Sequence, residues 1–321
     1  MRKLLNLILI NKAFKEKTGG ITPTGEIEIV ENGTYDVTNY ASADVNVPIP
    51  VSEYNAKFNA IMTSSNHSIS GNITEISAPD ISTYNLASIA GMFNGLKKLI
   101  SIPLFDTSNV TSMSQCFTGC ETITTIPQFS TSNVTNMSQM FANCTHLETI
   151  PLIDTGNVSN MANIFNGCSS LKNVPLIDLK NVTNLSYAFN MCSNLESIPA
   201  FNTTKVESFA WTFYSCSKIV TCPQLDTSSN TSFSYTFSSC TLLENVPVLD
   251  TSKVTQLNYM FQNCPNLSNN SLNNILQMCI NATRYNGTKT LTAIGLSQAQ
   301  KDICITLSNY QDFLSAGWTT G

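Results

Sequence analysis

Eleven cysteines, two histidines and a column of aspartates are the residues of this chain with chemistry to offer. Seven of the cysteines, Cys120, Cys144, Cys168, Cys192, Cys216, Cys240 and Cys264, recur at a step of 24 residues. Thiols can bind zinc, form disulfides or act as nucleophiles, and each role needs partners that converge on one point. A fixed step instead stacks equivalent side chains in parallel, and an odd total does not pair off completely. Cysteine is also among the residue types most often fully buried as a small apolar group. Buried thiols folded in a reducing compartment are therefore the favoured reading. The closer pairs Cys116/Cys120 and Cys216/Cys222 lack clustered histidines and give only a weak metal signal. His67 and His146 lie far apart, with no triad or zinc set around either. Asp106, Asp154, Asp178, Asp226 and Asp250 could recruit a cation between successive copies. Calcium needs six to eight oxygens, however, so turn capping fits these aspartates better. No catalytic residue, no metal site and no cofactor is expected, and the chain is not read as an enzyme.

The elements that position these residues follow from one repeat. Proline recurs at Pro79, Pro103, Pro127, Pro151, Pro175, Pro199, Pro223 and Pro247, and phenylalanine at Phe93, Phe117, Phe141, Phe165, Phe189, Phe213, Phe237 and Phe261. A fixed step of this length is the signature of a solenoid, whose coils bury apolar side chains by stacking on their neighbours. Within a copy, Leu147–Pro151 reads as a short strand, with proline at its end where a missing N–H is tolerated. Ile153 and its equivalents point inward, and Asp154–Asn157 reads as a turn. Residues 161, 164, 165 and 168 fall on one helical face, which predicts a short helical turn. The expected fold class is an α/β repeat solenoid of eight 24-residue coils, with short strands and helical turns.

Residues 1–20 read as an amphipathic docking helix ended by Thr18-Gly-Gly20, with an inefficient export signal as the alternative. Their apolar run, Leu4–Ile10, is too short to span a bilayer. Residues 21–50 alternate apolar and polar positions in three runs (Ile27/Ile29, Tyr35/Val37, Val45/Val47), with a tight-turn sequence at Glu31-Asn32-Gly33. They predict a small β meander. Residues 51–78 are assigned to an N-cap with a helix near Ser52–Met62, residues 79–270 to the solenoid, and residues 271–321 to a helical C-cap. In that cap, Ser271, Ser297 and Ser308 are the expected helix starts, and Leu291–Ile294 a last strand-like rung.

Only 12% of residues are charged, against about 25% in ordinary soluble domains. Residues 1–17 hold five of the 16 basic side chains and one of the 21 acidic, leaving 11 basic against 20 acidic elsewhere. Nucleic-acid binding needs clustered Lys and Arg, and the repeats have no such cluster. Their Ser-, Thr- and Asn-rich surface suits a sugar or a protein better than a polyanion. The binding candidates are two outward columns of the predicted strand. One runs Thr124, Glu148, Lys172, Glu196, Val220, Glu244. The other runs Thr125, Thr149, Asn173, Ser197, Thr221, Asn245. The first column changes character from copy to copy, as a recognition surface requires. Solvated strand residues would look the same.

The pattern Met140-Phe-x-x-Cys-x-x-Leu-x-x-Ile-Pro151 is similar to the core of BspA-like, treponemal-type leucine-rich repeats. The prefix Asp106-Thr-Ser-Asn-Val-Thr-Ser-Met113 is closer to a surface-protein variant of that family. The resemblance covers residues 79–270 and implies a solenoid used for adhesion or binding. The flanks, Gly25–Val47 and three stretches after Ser271, resemble tail-associated proteins of Firmicutes phages. They imply a tail or baseplate structural protein whose solenoid binds a host-surface glycan or protein. In that reading residues 1–50 attach the chain to other virion proteins, in a homo-oligomer assembled in the host cytoplasm. The alternatives are a bacterial cell-surface adhesin of the same repeat class and a virion decoration protein with no receptor.

Overall fold

The computed structural model describes residues 34–36, 75–77, 87–102 and 104–321. The docking helix expected over 1–20 and the helix expected near 52–62 lie outside them, as do most of the meander and N-cap. Two strands of that region are described, β1 (Thr34–Asp36) and β2 (Glu75–Ser77). They pair in parallel with Tyr35 opposite Ile76. A meander requires antiparallel neighbours joined by tight turns, and a parallel pair needs a long crossover instead. The described partner of β1 is therefore not the one the meander reading expects.

From residue 87 onward the chain is a repeat solenoid. Seven parallel bridges link Ser88, Ser112, Asn136, Asn160, Asn184, Ser208, Ser232 and Gln256 in one unbroken row, each a coil apart. After that row, the direction of the backbone N–H groups alternates. In one coil, Met137, Gln139, Phe141 and Asn143 donate to Asn160, Ala162, Ile164 and Asn166 of the next coil, over 2.6–3.0 Å. The intervening Met140, Ala142 and Cys144 donate three residues back along their own coil, to Met137, Gln139 and Phe141. The coil thus closes as successive tight turns, and every second N–H is free to hold the next coil.

This corrects two expectations. Residues 161, 164, 165 and 168 are all buried, as the helical face requires, yet no helical turn forms there. The backbone passes through left-handed geometry twice per coil, which an α-helix of L-residues excludes. One such column runs Gly91, Gln115, Gln139, Asn163, Tyr187, Trp211, Tyr235, Tyr259, and the other Gly95, Gly119, Asn143, Gly167, Met191, Ser215, Ser239, Asn263. The strand expected at Leu147–Pro151 is also absent. Each proline there removes a donor, and among the described residues this column carries bridges only at Ser101 and between Thr221 and Asn245. The continuous ladder sits at the Asn136 row instead. Helices occur only at the C-terminal end of the described residues.

Apolar side chains fill the coil interior in columns. The eight phenylalanines from Phe93 to Phe261 form one buried stack, with neighbouring ring centroids 5.2–5.9 Å apart and planes within 23°. Met113, Met137, Met161, Leu185, Phe209, Phe233 and Leu257 make a second buried column beside it. Each ring or aliphatic chain removed from water contributes about 1.5–3 kcal/mol, so the stack dominates cohesion between coils.

The last coil is covered by α1 (Asn269–Asn281), α2 (Gln298–Cys304) and α3 (Tyr310–Ser315). α1 begins earlier than expected because Ser268, not Ser271, is its N-cap. Ser271 is buried and serves the last coil, accepting from Val246 N–H and donating to the Glu244 carbonyl, both over 2.8 Å. Ser297 caps α2 in a reciprocal box with Gln300, as a Ser-x-x-Gln sequence predicts. Asn309 rather than Ser308 precedes α3. Residues 293 and 294 accept from Tyr259 and Phe261 N–H, so a last rung forms here, built from tight turns over 291–295 and not from the strand expected. Gly295 is required beside it, because a Cβ would lie 2.5 Å from the Gln262 nitrogen.

The left-handed columns generate a stability prediction. Ser215 sits at φ 57°. Ser215→Gly should raise the unfolding free energy by up to about 1 kcal/mol, since only the Cβ penalty is removed. Gly167→Ala should lower it by about 1–2 kcal/mol through backbone strain, because φ is +77° and the new Cβ would lie 2.5 Å from Asn143 Oδ1. Urea unfolding of both variants checks this, and equal stabilities would show that the columns are unstrained.

Candidate functional site

The repeated Asp-Thr-Ser/Gly-Asn turn is used up in construction. Asp106, Asp154, Asp178, Asp226 and Asp250 each accept from the backbone N–H two residues on, over 2.8–3.0 Å. The next threonine donates forward to the following coil, as Thr107 does to the Ser130 carbonyl and Thr155 to the Asp178 carbonyl. The asparagine donates backward, as Asn133 does to Ser108, Asn157 to Ser132 and Asn181 to Gly156. The Asp154–Asn157 turn makes all three kinds of bond and so fastens three coils. Backbone bonds hold the carboxyls of Asp106 and Asp178 below their usual value, and the Ser228 hydroxyl, then its backbone N–H, lower that of Asp226. Among the described residues no group of three or more His, Cys, Asp or Glu could hold a metal ion.

All eleven cysteines are buried as free thiols. The seven of the main column each donate Sγ–H to the carbonyl of the previous coil's phenylalanine, over 2.9–3.1 Å. Loss of solvent pushes the Cys144 and Cys264 thiols up to about 12, and the others are also raised by burial. Such thiols are neither nucleophiles nor ligands at neutral pH. The buried-thiol reading stands.

The sequence-derived binding columns are outward and in register. Thr124, Thr125, Glu148, Thr149, Lys172, Asn173, Glu196, Ser197, Glu244 and Asn245 are all exposed. Glu148, Lys172 and Glu196 follow one another through backbone bonds of 3.0–3.2 Å. Lys172 Nζ lies 2.9 Å from Glu148 Oε2, and this hydrogen bond raises the lysine. An exposed pair of this kind contributes little to stability. The Ser197 hydroxyl reaches Asn173 Oδ1 at 3.5 Å. Around the corner, exposed Gln128, Leu152 and Leu176 edge a shallow groove of about 520 Å³ that Asp154 and Asp178 also line. His146 is exposed, with Nδ1 2.7 Å from the Glu121 carbonyl oxygen.

A third outward column was not singled out by the sequence reasoning. It is the first left-handed column, in which Tyr187, Trp211, Tyr235 and Tyr259 follow Gln115, Gln139 and Asn163. Large side chains rarely occupy this backbone geometry. They do so here because each N–H is committed to the next coil, as Trp211 is to the Ser234 carbonyl at 2.9 Å. The backbone directs the rings outward, and they stack. Successive centroids are 5.6, 4.0 and 5.0 Å apart, with planes 7°, 13° and 32° from parallel. Tyr214 adds a ring 4.8 Å from Trp211. Tyr259 is 41% exposed, and the other three members are half-buried. Among the described residues, neither the three tyrosine hydroxyls nor the Trp211 indole N–H has a hydrogen-bond partner. In the amide half, Gln115 Nε2 donates to Gln139 Oε1 at 3.2 Å. The sequence signal was present as large aromatics at a step of 24, hidden by the expectation of a helical turn.

A family profile described as "Mycoplasma protein of unknown function, DUF285" matches residues 62–176 and 159–275, overlapping halves of the repeat region. The chain belongs to this family. A leucine-rich repeat protein from Bacteroides ovatus is similar at 18% identity over 62% of this chain and 72% of that one, with a TM-score of 0.28. One from Eubacterium ventriosum is similar at 14% identity over 65% and 81%, with a TM-score of 0.27. No curated protein matches the chain. For this DUF285 member the solenoid assignment rests on its own bonds between coils. No helix among the described residues is long and apolar enough to cross a membrane.

Two predictions follow from the buried and engaged groups. A thiol reagent should leave all eleven cysteines unmodified in the native protein and label all eleven in denaturant. Rapid native labelling of even one main-column thiol would contradict the burial. The depressed Asp106, Asp178 and Asp226 carboxyls add stability above the unfolded aspartate value, near about pH 4. That stability is lost as pH falls through their lower folded values. Thermal melts should therefore change little from about pH 7 to 5 and drop below about pH 4. A midpoint that rises on acidification would contradict the turn-capping role.

Proposed function

We propose that the chain is a non-catalytic binding solenoid, the adhesion module of a bacterial surface protein. The observation behind this reading is a division of labour among side chains. Repeated Asp, Thr, Asn and Cys residues are spent on holding coils together, whereas the outward columns change from coil to coil and make few contacts. A scaffold that fixes a varied surface on rigid coils suits recognition, not turnover. Raised thiols and carboxyls engaged in turns support the absence of an enzymatic role. The family description names a mycoplasma protein, which supports a bacterial setting over a virion. The virion reading rests on the flanks, residues 25–47 and the stretches after Ser271. The partner is a glycan or protein at a cell surface, and residues 1–50 attach the solenoid to its carrier.

Adhesion tests this directly. The full chain, labelled with a fluorophore on its lysines, should be retained saturably on cultured epithelial cells or on intact bacteria, and unlabelled chain should compete. Retention that never saturates on either surface would sink the reading. Of the two columns chosen from sequence, the charged one is tested by Lys172→Glu with Glu196→Lys. Weakened retention with an unchanged melt would place contacts there.

A further inference from the structure

The amide and aromatic column is uncharged along its whole length and carries the stacked rings. Segments 112–120, 136–144, 160–168, 184–192, 208–216, 232–240 and 256–264 contain no Asp, Glu, Lys or Arg. A stripe running over seven coils is therefore uncharged, while charges such as Glu148, Lys172, Glu196 and Glu244 stand on another face. The stripe displays amides at one end and stacked rings at the other.

From this face we infer that the solenoid binds a neutral, linear polysaccharide laid lengthwise over the column from Gln115 to Tyr259. The inference rests on the adhesion reading above and names the ligand class and the site. Charge decides the first part, because an anionic polymer would find no cation here and a cationic one no anion. Shape decides the second. The four rings span about 15 Å in steps of 5.6, 4.0 and 5.0 Å and are one ring wide. That strip falls far short of the roughly 800 Å² per partner that a standard protein–protein contact covers. An added peptide strand is also excluded, since the N–H groups of this column already bond the next coil.

The chemistry of the strip suits a pyranose chain. Tyr187 and Trp211 are 5.6 Å apart and nearly parallel, more than the about 3.5–4.0 Å of carbon contact, so these rings are slipped and part of a face stays open. Sugar C–H groups pack on such faces. The unpartnered tyrosine hydroxyls, the Trp211 N–H and the amides of Gln115, Gln139 and Asn163 can exchange hydrogen bonds with sugar hydroxyls. One coil offers one platform, so affinity grows along a polymer that engages several coils at once. Holding large rings in left-handed geometry opposes stability. Glycine or asparagine would be easier at these sites, and stacking offsets only part of that strain.

Native gels cast with soluble glucomannan, mixed-linkage β-glucan or amylose test this on the full chain, with hyaluronan and gelatin as anionic and protein controls. At least one neutral polymer should retard the chain, and the controls should not. Trp211→Gly and Tyr259→Ala should weaken the retardation about tenfold or more, with melts no lower than wild type by more than a few degrees. Trp211 also reports without substitution. The only other tryptophan, Trp318, is buried, so acrylamide quenching should fall when polymer binds. No retardation on any neutral polymer, stronger retardation on hyaluronan or gelatin, or quenching unchanged by a bound polymer would overturn the inference. A chain that adheres to cells yet ignores all three neutral polymers overturns this site and leaves the adhesion reading standing. A chain that binds polymer but not cells does the reverse.

Discussion

One constraint organises the molecule: within each coil, alternate backbone N–H groups point along the chain and across to the next coil. The two sets cannot exchange. If Met140 gave up its turn bond to Met137, the coil would open. If Phe141 gave up its bond to Ile164, the stack would part. Left-handed geometry at Gln139 and Asn143 is what makes the alternation possible, and it recurs at the same two positions in every coil. A repeat without insertion or deletion follows, because one extra residue would turn every later N–H the wrong way.

Around that backbone, side chains divide by task. Phenylalanine, methionine, leucine and cysteine fill the interior, and the thiols even satisfy carbonyls of the coil before. Aspartate, threonine and asparagine of the turn reach within the coil, forward and backward. These polar groups look like chemistry in a sequence and act as fasteners in the fold. What they leave outside is a charged, variable face on one side and an uncharged stripe of amides and rings on another.

Much of this was legible in the residues. The step of 24 gave the solenoid, and the inward positions Phe141, Cys144, Leu147, Ile150 and Ile153 are all buried. The outward columns through Glu148 and Thr149 are exposed as expected. The conformation of residues 161–168 was not legible, since apolar positions 161, 164, 165 and 168 satisfy a helical face and a chain of tight turns equally well. Nothing local tells the backbone to go left-handed at Tyr187 or Trp211. Their types argue against it, and the neighbouring coil imposes it.

The sequence by itself determined the period, the identity of the buried columns and the inert character of the cysteines. Each of these depends only on which residues recur, and a repeat prints that information directly. The tertiary structure decided where the ladder runs, which polar groups it consumes and that Tyr187, Trp211, Tyr235 and Tyr259 stand together on an uncharged face. These depend on bonds between residues 24 apart, whose direction is settled only when two coils meet. A single coil has no partner for half of its N–H groups, and so no preference that a sequence pattern could reveal.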